Sequence, residues 1–83
     1  MHDVYILQSV DDEDRYYVGV LCRSYGDLRA RVTKHNAGDV AHTAKFRPWK
    51  LKTYVAFSDD AKAFAFEKYL KSGSGRVFAK RHL

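Results

Sequence analysis

Residues 3–21, DVYILQSVDDEDRYYVGVL, decide the fold of this chain. Asp3–Val10 and Arg15–Leu21 are rich in β-branched and aromatic residues, a composition typical of β-strands. Four consecutive acids, Asp11–Asp14, separate these two stretches and fit an exposed turn. The segment therefore predicts an antiparallel β-hairpin. Gly19 lies inside the second strand, where a glycine often marks a bulge or the close approach of a ligand or of backbone.

The residues after the hairpin predict three helices and one more strand. We expect the first helix over Asp27–Asn36, because Asp27 can cap its start and Asn36-Ala37-Gly38 can end it. The later elements, in chain order, are a long polar loop over residues 37–48, a strand over Trp49–Phe57, a helix capped by Ser58–Asp60 that runs through Lys71, a break at Ser72–Gly75, and a short basic helix over Arg76–Leu83.

The order of elements is β-β-α-β-α-α, which predicts an α+β fold. A small three-stranded antiparallel sheet flanked by helices is the natural way for such a chain to bury its apolar side chains. The length of 83 residues leaves room for one domain, so we expect a single domain over residues 1–83.

Charge is distributed unevenly along the chain. Residues 1–41 contain five Lys/Arg and seven Asp/Glu, whereas residues 42–83 contain ten Lys/Arg and three Asp/Glu. This asymmetry favours a polyanionic partner for the second half, although lysines that merely solvate helices are the alternative. The single cysteine, Cys22, excludes an intramolecular disulfide and favours the reducing cytoplasm. No apolar run approaches the about 20 residues that a membrane helix needs.

Three short motifs occur in a defined order. VYI at residues 4–6 lies in the first strand, YVG at residues 17–19 lies in the second, and DLRAR at residues 27–31 begins the first helix. A His-Asn pair ends that helix, and a later helix contains a glutamate. This ordered set resembles the GIY-YIG endonuclease superfamily, specifically its short single-domain bacterial members, over nearly the whole chain.

The resemblance implies a metal-dependent endonuclease that hydrolyses DNA phosphodiester bonds, with structure-selective work in repair or recombination as one use. Its metal would be Mg²⁺ or Mn²⁺ bound by Glu67. The alternatives are a catalytically weak nucleic-acid-binding module and an accessory domain that depends on a protein partner. The residues that inherit catalytic roles from the family are Tyr5, Tyr17, Arg31, His35 and Glu67.

Each of these residues also has a simpler interpretation. Tyr17 is our candidate for activating the attacking water and Tyr5 for orienting the water or the phosphate, but strand tyrosines more often pack. His35 is a second candidate for the proton transfer, or else a solvent-facing histidine near a helix end. Arg31 could bind a phosphate or pair with Asp27. For Glu67 the simple alternative is an ion pair with Lys71.

Tyr5 and Tyr17 must lie on the same face of the hairpin if they share a site.

The chain departs from the family pattern at three places. Asp3 replaces the glycine of the first motif, and three extra residues at positions 22–24 lengthen the turn before the first helix. No asparagine follows the glutamate. Outside the motifs, the loop around residues 42–49 mixes basic and aromatic side chains, which suits contact with a nucleic-acid backbone, while Trp49 is expected in the core. The residues expected to contact nucleic acid are Lys45, Arg47, Lys71 and Arg76.

Overall fold

The computed structural model describes residues 1–83 and contains one three-stranded sheet. The strands are β1 (His2–Ser9), β2 (Tyr16–Cys22) and β3 (Trp49–Phe57), in the spatial order β2-β1-β3. Both neighbours of β1 run antiparallel to it. The predicted hairpin, the third strand and the α+β class are therefore confirmed.

Four helices surround the sheet: α1 (Leu28–Ala37), α2 (Ala41–Ala44), α3 (Asp60–Leu70) and α4 (Gly73–His82). The predicted caps of α1 form, because the Asp27 side chain accepts a hydrogen bond from the Ala30 amide at 2.8 Å and Gly38 closes the helix with φ 82°. None of the helices has the length and apolar character needed to cross a bilayer.

Two of the predicted boundaries are wrong. Residues 37–48 are not a continuous loop, because they contain α2. Likewise Ser72–Gly75 is not a break but the start of α4, since the Ser72 hydroxyl caps the helix by accepting from the Gly75 amide at 3.1 Å. Gly75 is required there, because a side chain at this position would overlap the carbonyl oxygen of Tyr69.

The sheet divides the core into two parts, because successive residues of β1 point to opposite sides. We call the side covered by α1 and α2 the α1 face; its buried cluster consists of Tyr5, Leu7, Leu21 and Trp49. The other side, covered by α3 and α4, is the α3 face; its buried cluster consists of Val4, Ile6, Ala63 and Leu70. The expectation that Trp49 lies in the core is confirmed.

Two of the departures from the family pattern are parts of one contact. Residues Arg23–Tyr25, within the lengthened turn, form a short 3₁₀ helix. From it the Arg23 guanidinium donates to both oxygens of Asp3, at 2.9 Å through Nε and 2.8 Å through Nη2. Asp3 is only 3% exposed, so its carboxylate needs such a partner. The longer turn thus supplies the charge that an aspartate at the glycine position requires.

Candidate active site

The two motif tyrosines lie side by side on the α1 face. In the hairpin Tyr5 pairs with Gly19 and Leu7 pairs with Tyr17, so both phenols project from the same side of the sheet. Their ring centroids are 6.2 Å apart. The geometric requirement deduced from the sequence is therefore confirmed. Tyr5 is fully buried, whereas Tyr17 is half-buried.

Gly19 makes room for the Tyr5 phenol. A Cβ atom at this position would lie 2.6 Å from both Cζ and Oη of Tyr5 and 3.0 Å from Cε2 of Tyr17. The sequence indicated a close approach at this glycine, and the structure contains one. The group that approaches is a side chain of the neighbouring strand.

Arg31 reaches the site from α1. Its Nε donates a hydrogen bond to the Tyr5 hydroxyl at 3.2 Å. The alternative, an ion pair between Arg31 and Asp27, does not form, because the Asp27 carboxylate caps the helix instead. Burial raises the pKa of the Tyr5 phenol, and the hydrogen bond from Arg31 only partly opposes this effect. Tyr5 is therefore a neutral phenol that can still donate its own proton.

His35 accepts the hydrogen bond that the Tyr5 hydroxyl donates. Its ring is wholly buried, with Nε2 at 3.1 Å from the Tyr5 hydroxyl and Nδ1 at 2.7 Å from the Thr43 hydroxyl. Thr43 itself donates to the Val40 carbonyl at 3.2 Å, so its oxygen accepts from His35 Nδ1–H. This assignment leaves Nε2 as the acceptor for Tyr5. A single directional chain of hydrogen bonds results, running from Arg31 through Tyr5 and His35 to Thr43.

The environment keeps His35 neutral. Burial, and secondarily the positive charge of Arg31, lower the pKa of this imidazole. The ring also lies against Tyr17, with centroids 4.9 Å apart. The interpretation of His35 as a solvent-facing, positively charged residue at a helix end is wrong, because α2 and the two tyrosines enclose it.

Thr43 is the member of this chain that sequence reasoning missed. It belongs to α2, the short helix inside the segment that was expected to be a loop. Besides holding His35, its backbone carbonyl accepts a hydrogen bond from Trp49 Nε1 at 2.8 Å. The only available signal was the unusual length of the polar segment, because no spacing in the sequence connects Thr43 to His35.

Glu67 approaches from the other side of the sheet. It lies on the inner side of α3 between the buried residues Ala63 and Leu70, and its side chain is 21% exposed. The ion pair with Lys71 is present at 3.3 Å. After burial, Arg31 and Tyr17, the negative charge of Glu67 is the last contribution to the pKa of Tyr5, which it raises. No group of three or more His, Cys, Asp or Glu side chains gathers anywhere in the fold.

The profile of the GIY-YIG catalytic domain matches residues 1–81 of the chain. The chain belongs to the GIY-YIG family. GIY-YIG domains are nucleases that act on DNA and generally depend on a divalent metal. No curated protein matches the chain.

The basic residues expected to bind nucleic acid form two separate groups on this GIY-YIG domain. Lys45 and Arg47 are exposed after α2, and the Arg47 guanidinium lies over Gly38. Lys71 and Arg76 line a cleft on the α3 face. Phe46, which separates Lys45 from Arg47 in the sequence, packs against the buried cluster of the α1 face.

Proposed function

We propose that this chain is a divalent-metal-dependent DNA endonuclease in which Tyr17 activates the attacking water and Arg31 binds the scissile phosphate. One observation carries the proposal, namely the hydrogen-bond chain from Arg31 to Thr43 through Tyr5 and His35. In this chain the buried polar groups of Tyr5, His35 and Thr43 are hydrogen-bonded within the protein. The Tyr17 hydroxyl and the terminal nitrogens of Arg31 have no protein partners.

Arg31 is suited to phosphate binding by its fixed orientation. Its Nε is held by Tyr5, and neither ion pairs nor hydrogen bonds within the protein occupy its two terminal nitrogens. A guanidinium that is already oriented loses less side-chain entropy when it binds two phosphate oxygens. The role of Tyr5 in this proposal is therefore to aim Arg31.

Tyr17 is the better candidate for the general base. A general base must come within hydrogen-bond distance of the water it deprotonates. His35 is fully buried and both of its ring nitrogens are already hydrogen-bonded, so it positions Tyr5 and does not touch the substrate. Tyr17 is half-buried and its hydroxyl has no protein partner, which leaves it accessible to water.

Glu67 is the residue that would hold the metal. Mg²⁺ or Mn²⁺ needs only one or two carboxylates and otherwise keeps its water ligands, so a single partly exposed glutamate fits such an ion. When bound, the ion would polarise the phosphate and stabilise the charge on the leaving oxygen. Lys71 would have to release Glu67, and an ion pair of this spacing contributes about 0.2–0.5 kcal/mol to a helix.

The proposed setting is the cytoplasm, on branched, nicked or damaged DNA that arises in repair or recombination. The excess of basic residues after position 41 supports a polyanionic substrate.

The test is nicking of supercoiled plasmid by the purified chain with Mg²⁺ or Mn²⁺. We expect Arg31→Ala to lower the rate about 10²- to 10³-fold, as removal of an electrostatic stabiliser does elsewhere. Tyr17→Phe and Glu67→Gln should lower it comparably. The matched controls Arg29→Ala and Tyr25→Phe change exposed residues of the same types and should cut normally.

The other outcomes separate the competing functions. DNA binding without cutting by the wild-type chain would favour a nucleic-acid-binding module. If the wild-type chain neither binds nor cuts DNA, the result would favour an accessory domain that acts through a protein partner. Titration with Mn²⁺, followed by electron paramagnetic resonance, tests the metal separately: Glu67→Gln should weaken Mn²⁺ binding, and the role of Glu67 as a ligand is wrong if it does not.

A further inference from the structure

A cleft of about 770 Å³ lies on the α3 face at the end of the sheet nearest the hairpin turn. Its walls come from the start of β2, from β3 and from α4. Five basic side chains line it, namely Arg15, Lys52, Lys71, Arg76 and Lys80. Charge complementarity therefore favours an anionic occupant.

Two of the three basic side chains of the cleft that form no ion pair belong to α4, because Arg15 pairs with Asp12 at 3.9 Å and Lys71 pairs with Glu67 at 3.3 Å. Arg76 and Lys80 are four residues apart and so share one side of α4, a helix that contains no acidic residue. Neither of them forms an ion pair. The acidic residues of the cleft, Asp12 and Asp14, lie instead at the hairpin turn. A phosphate backbone is thus attracted more strongly to the α4 wall than to the hairpin wall.

The hairpin wall offers an aromatic surface instead. Tyr16 is 47% exposed, and Val18 and Ala79 add apolar surface to the cleft. A bulge in β3 leaves Lys52 outside the strand register, and its Nζ lies 5.5 Å from the centre of the Tyr16 ring. An exposed ring beside apolar side chains suits the face of an unpaired base, whereas the bases of a duplex are stacked on one another.

The cleft adjoins the candidate active site. Tyr16 and Tyr17 are consecutive in β2 and point to opposite faces, so a strand that passes the edge of the sheet can contact both. Tyr17 also borders the cleft, and so does Lys71, whose ammonium is 3.3 Å from Glu67.

We propose that this cleft binds a single-stranded DNA segment next to the scissile phosphate. An unpaired base stacks on Tyr16, and the adjoining phosphates bind Arg76 and Lys80. The inference rests on the proposed function, because it assumes that the substrate is DNA. It adds that the substrate contains an unpaired segment.

Binding in the presence of EDTA tests the inference without cleavage. The probes are a blunt DNA duplex, the same duplex with a single-stranded tail, and the tail alone, each fluorescently labelled. We expect the wild-type chain to prefer the tailed duplex and the tail. Since stacking on an aromatic side chain contributes about 1–3 kcal/mol per base, Tyr16→Ala should weaken binding of the tailed duplex and of the tail by about 5- to 150-fold, and Tyr16→Phe should not.

The double variant Arg76→Ala/Lys80→Ala should weaken binding of the tailed duplex and of the tail more than binding of the blunt duplex, and should reduce the salt dependence of both. The controls Tyr25→Ala and Lys62→Ala change exposed residues outside the cleft and should bind as wild type. Circular dichroism of each variant verifies folding.

Equal affinity for blunt and tailed duplex would overturn the inference, as would an unchanged preference in folded Tyr16→Ala. Plasmid nicking distinguishes its failure from failure of the proposed function. If the wild-type chain cuts while Tyr16→Ala keeps the wild-type preference, only the cleft assignment is wrong. If the wild-type chain prefers the tailed probe but never cuts, the proposed endonuclease activity is wrong and the proposed role of the cleft stands.

Discussion

The two faces of the sheet are built from the same strand but use different interactions. On the α3 face, Val4 and Ile6 of β1 pack against the helices through apolar contacts alone. On the α1 face, Tyr5 is equally buried but takes part in a chain of hydrogen bonds. Apolar contacts are non-directional and scale with the area removed from water, whereas each buried polar group depends on one particular partner.

The difference implies that the faces respond differently to substitution. A volume-conserving change is usually tolerated where only packing matters. A change that leaves a buried donor or acceptor without its partner costs the desolvation of that group, even when shape is preserved. The α3 face should therefore depend on volume and the α1 face on hydrogen-bonding chemistry.

The largest expected effect is on the α3 face. Leu70 is 2% exposed, so Leu70→Ala should lower the free energy of unfolding by about 2–5 kcal/mol through lost burial and a cavity. Leu70→Met keeps most of the volume and should cost less than about 1.5 kcal/mol. Urea denaturation monitored by circular dichroism measures both. Equal losses would mean that packing does not dominate this face.

The next largest effect is expected at the close contact between Gly19 and the Tyr5 ring. Gly19→Ala would place a methyl group 2.6 Å from the Tyr5 hydroxyl. Because the buried ring has no room to move, we expect a loss of about 1–3 kcal/mol in the free energy of unfolding and a fall in nicking rate. Gly73→Ala is the matched control, since no atom lies within 4 Å of the added methyl group. Wild-type activity in Gly19→Ala would show that the Tyr5 position is not critical.

A smaller effect tests the polar chain itself. Thr43→Val keeps the shape but removes the acceptor for His35 Nδ1–H, so we expect a loss of about 1–2 kcal/mol in stability. Thr43→Ser restores the hydroxyl and should recover most of it. The predicted tautomer can be read from the ¹⁵N chemical shifts of the His35 ring. The assignment is wrong if these shifts place the proton on Nε2 in the wild-type protein.

The smallest effect is on pH dependence. Because burial lowers the pKa of His35, the unfolded chain binds more protons than the folded protein below the ordinary histidine pKa of about 6.5. The stability that the neutral ring provides is thus fully present above that pH and is lost as the pH falls towards the lowered pKa. Denaturation midpoints across this range should show this slope in wild type and in the exposed-site control His42→Gln. An undiminished slope in His35→Gln would contradict it.

Most of the fold follows from local patterns. β-branched and aromatic residues predicted the two strands of the hairpin. Alternation predicted β3, because a strand with one buried face repeats every second residue. The errors lie where the local signal is ambiguous. Ser72–Gly75 resembles a linker by composition, yet Ser72 caps α4 and Gly75 fits closely against the carbonyl of Tyr69. The helix α2 is a single turn, too short for a periodic signal to emerge.

Some residues of the candidate site could likewise be predicted from the sequence, and others could not. Order and spacing of the motifs singled out Tyr5, Tyr17 and Arg31, and the register of the hairpin places both phenols on one face. Thr43 could not be found, because its contact with His35 joins two helices through a turn whose path depends on tertiary packing. The pairing of Asp3 with Arg23 was likewise hidden, since it connects residues 20 positions apart.

By itself, the sequence determined the order of the three strands and of the three longer helices, the charge asymmetry and the family, since these depend on residue type and on spacing along the chain. Only the tertiary structure decided that His35 is buried and neutral and that Arg31 donates to Tyr5 rather than pairing with Asp27. It also decided that α3, the helix that contains Glu67, covers the opposite face of the sheet. The physical reason is that protonation and hydrogen-bond partners depend on desolvation and on neighbours in space, and neither is encoded in local pattern.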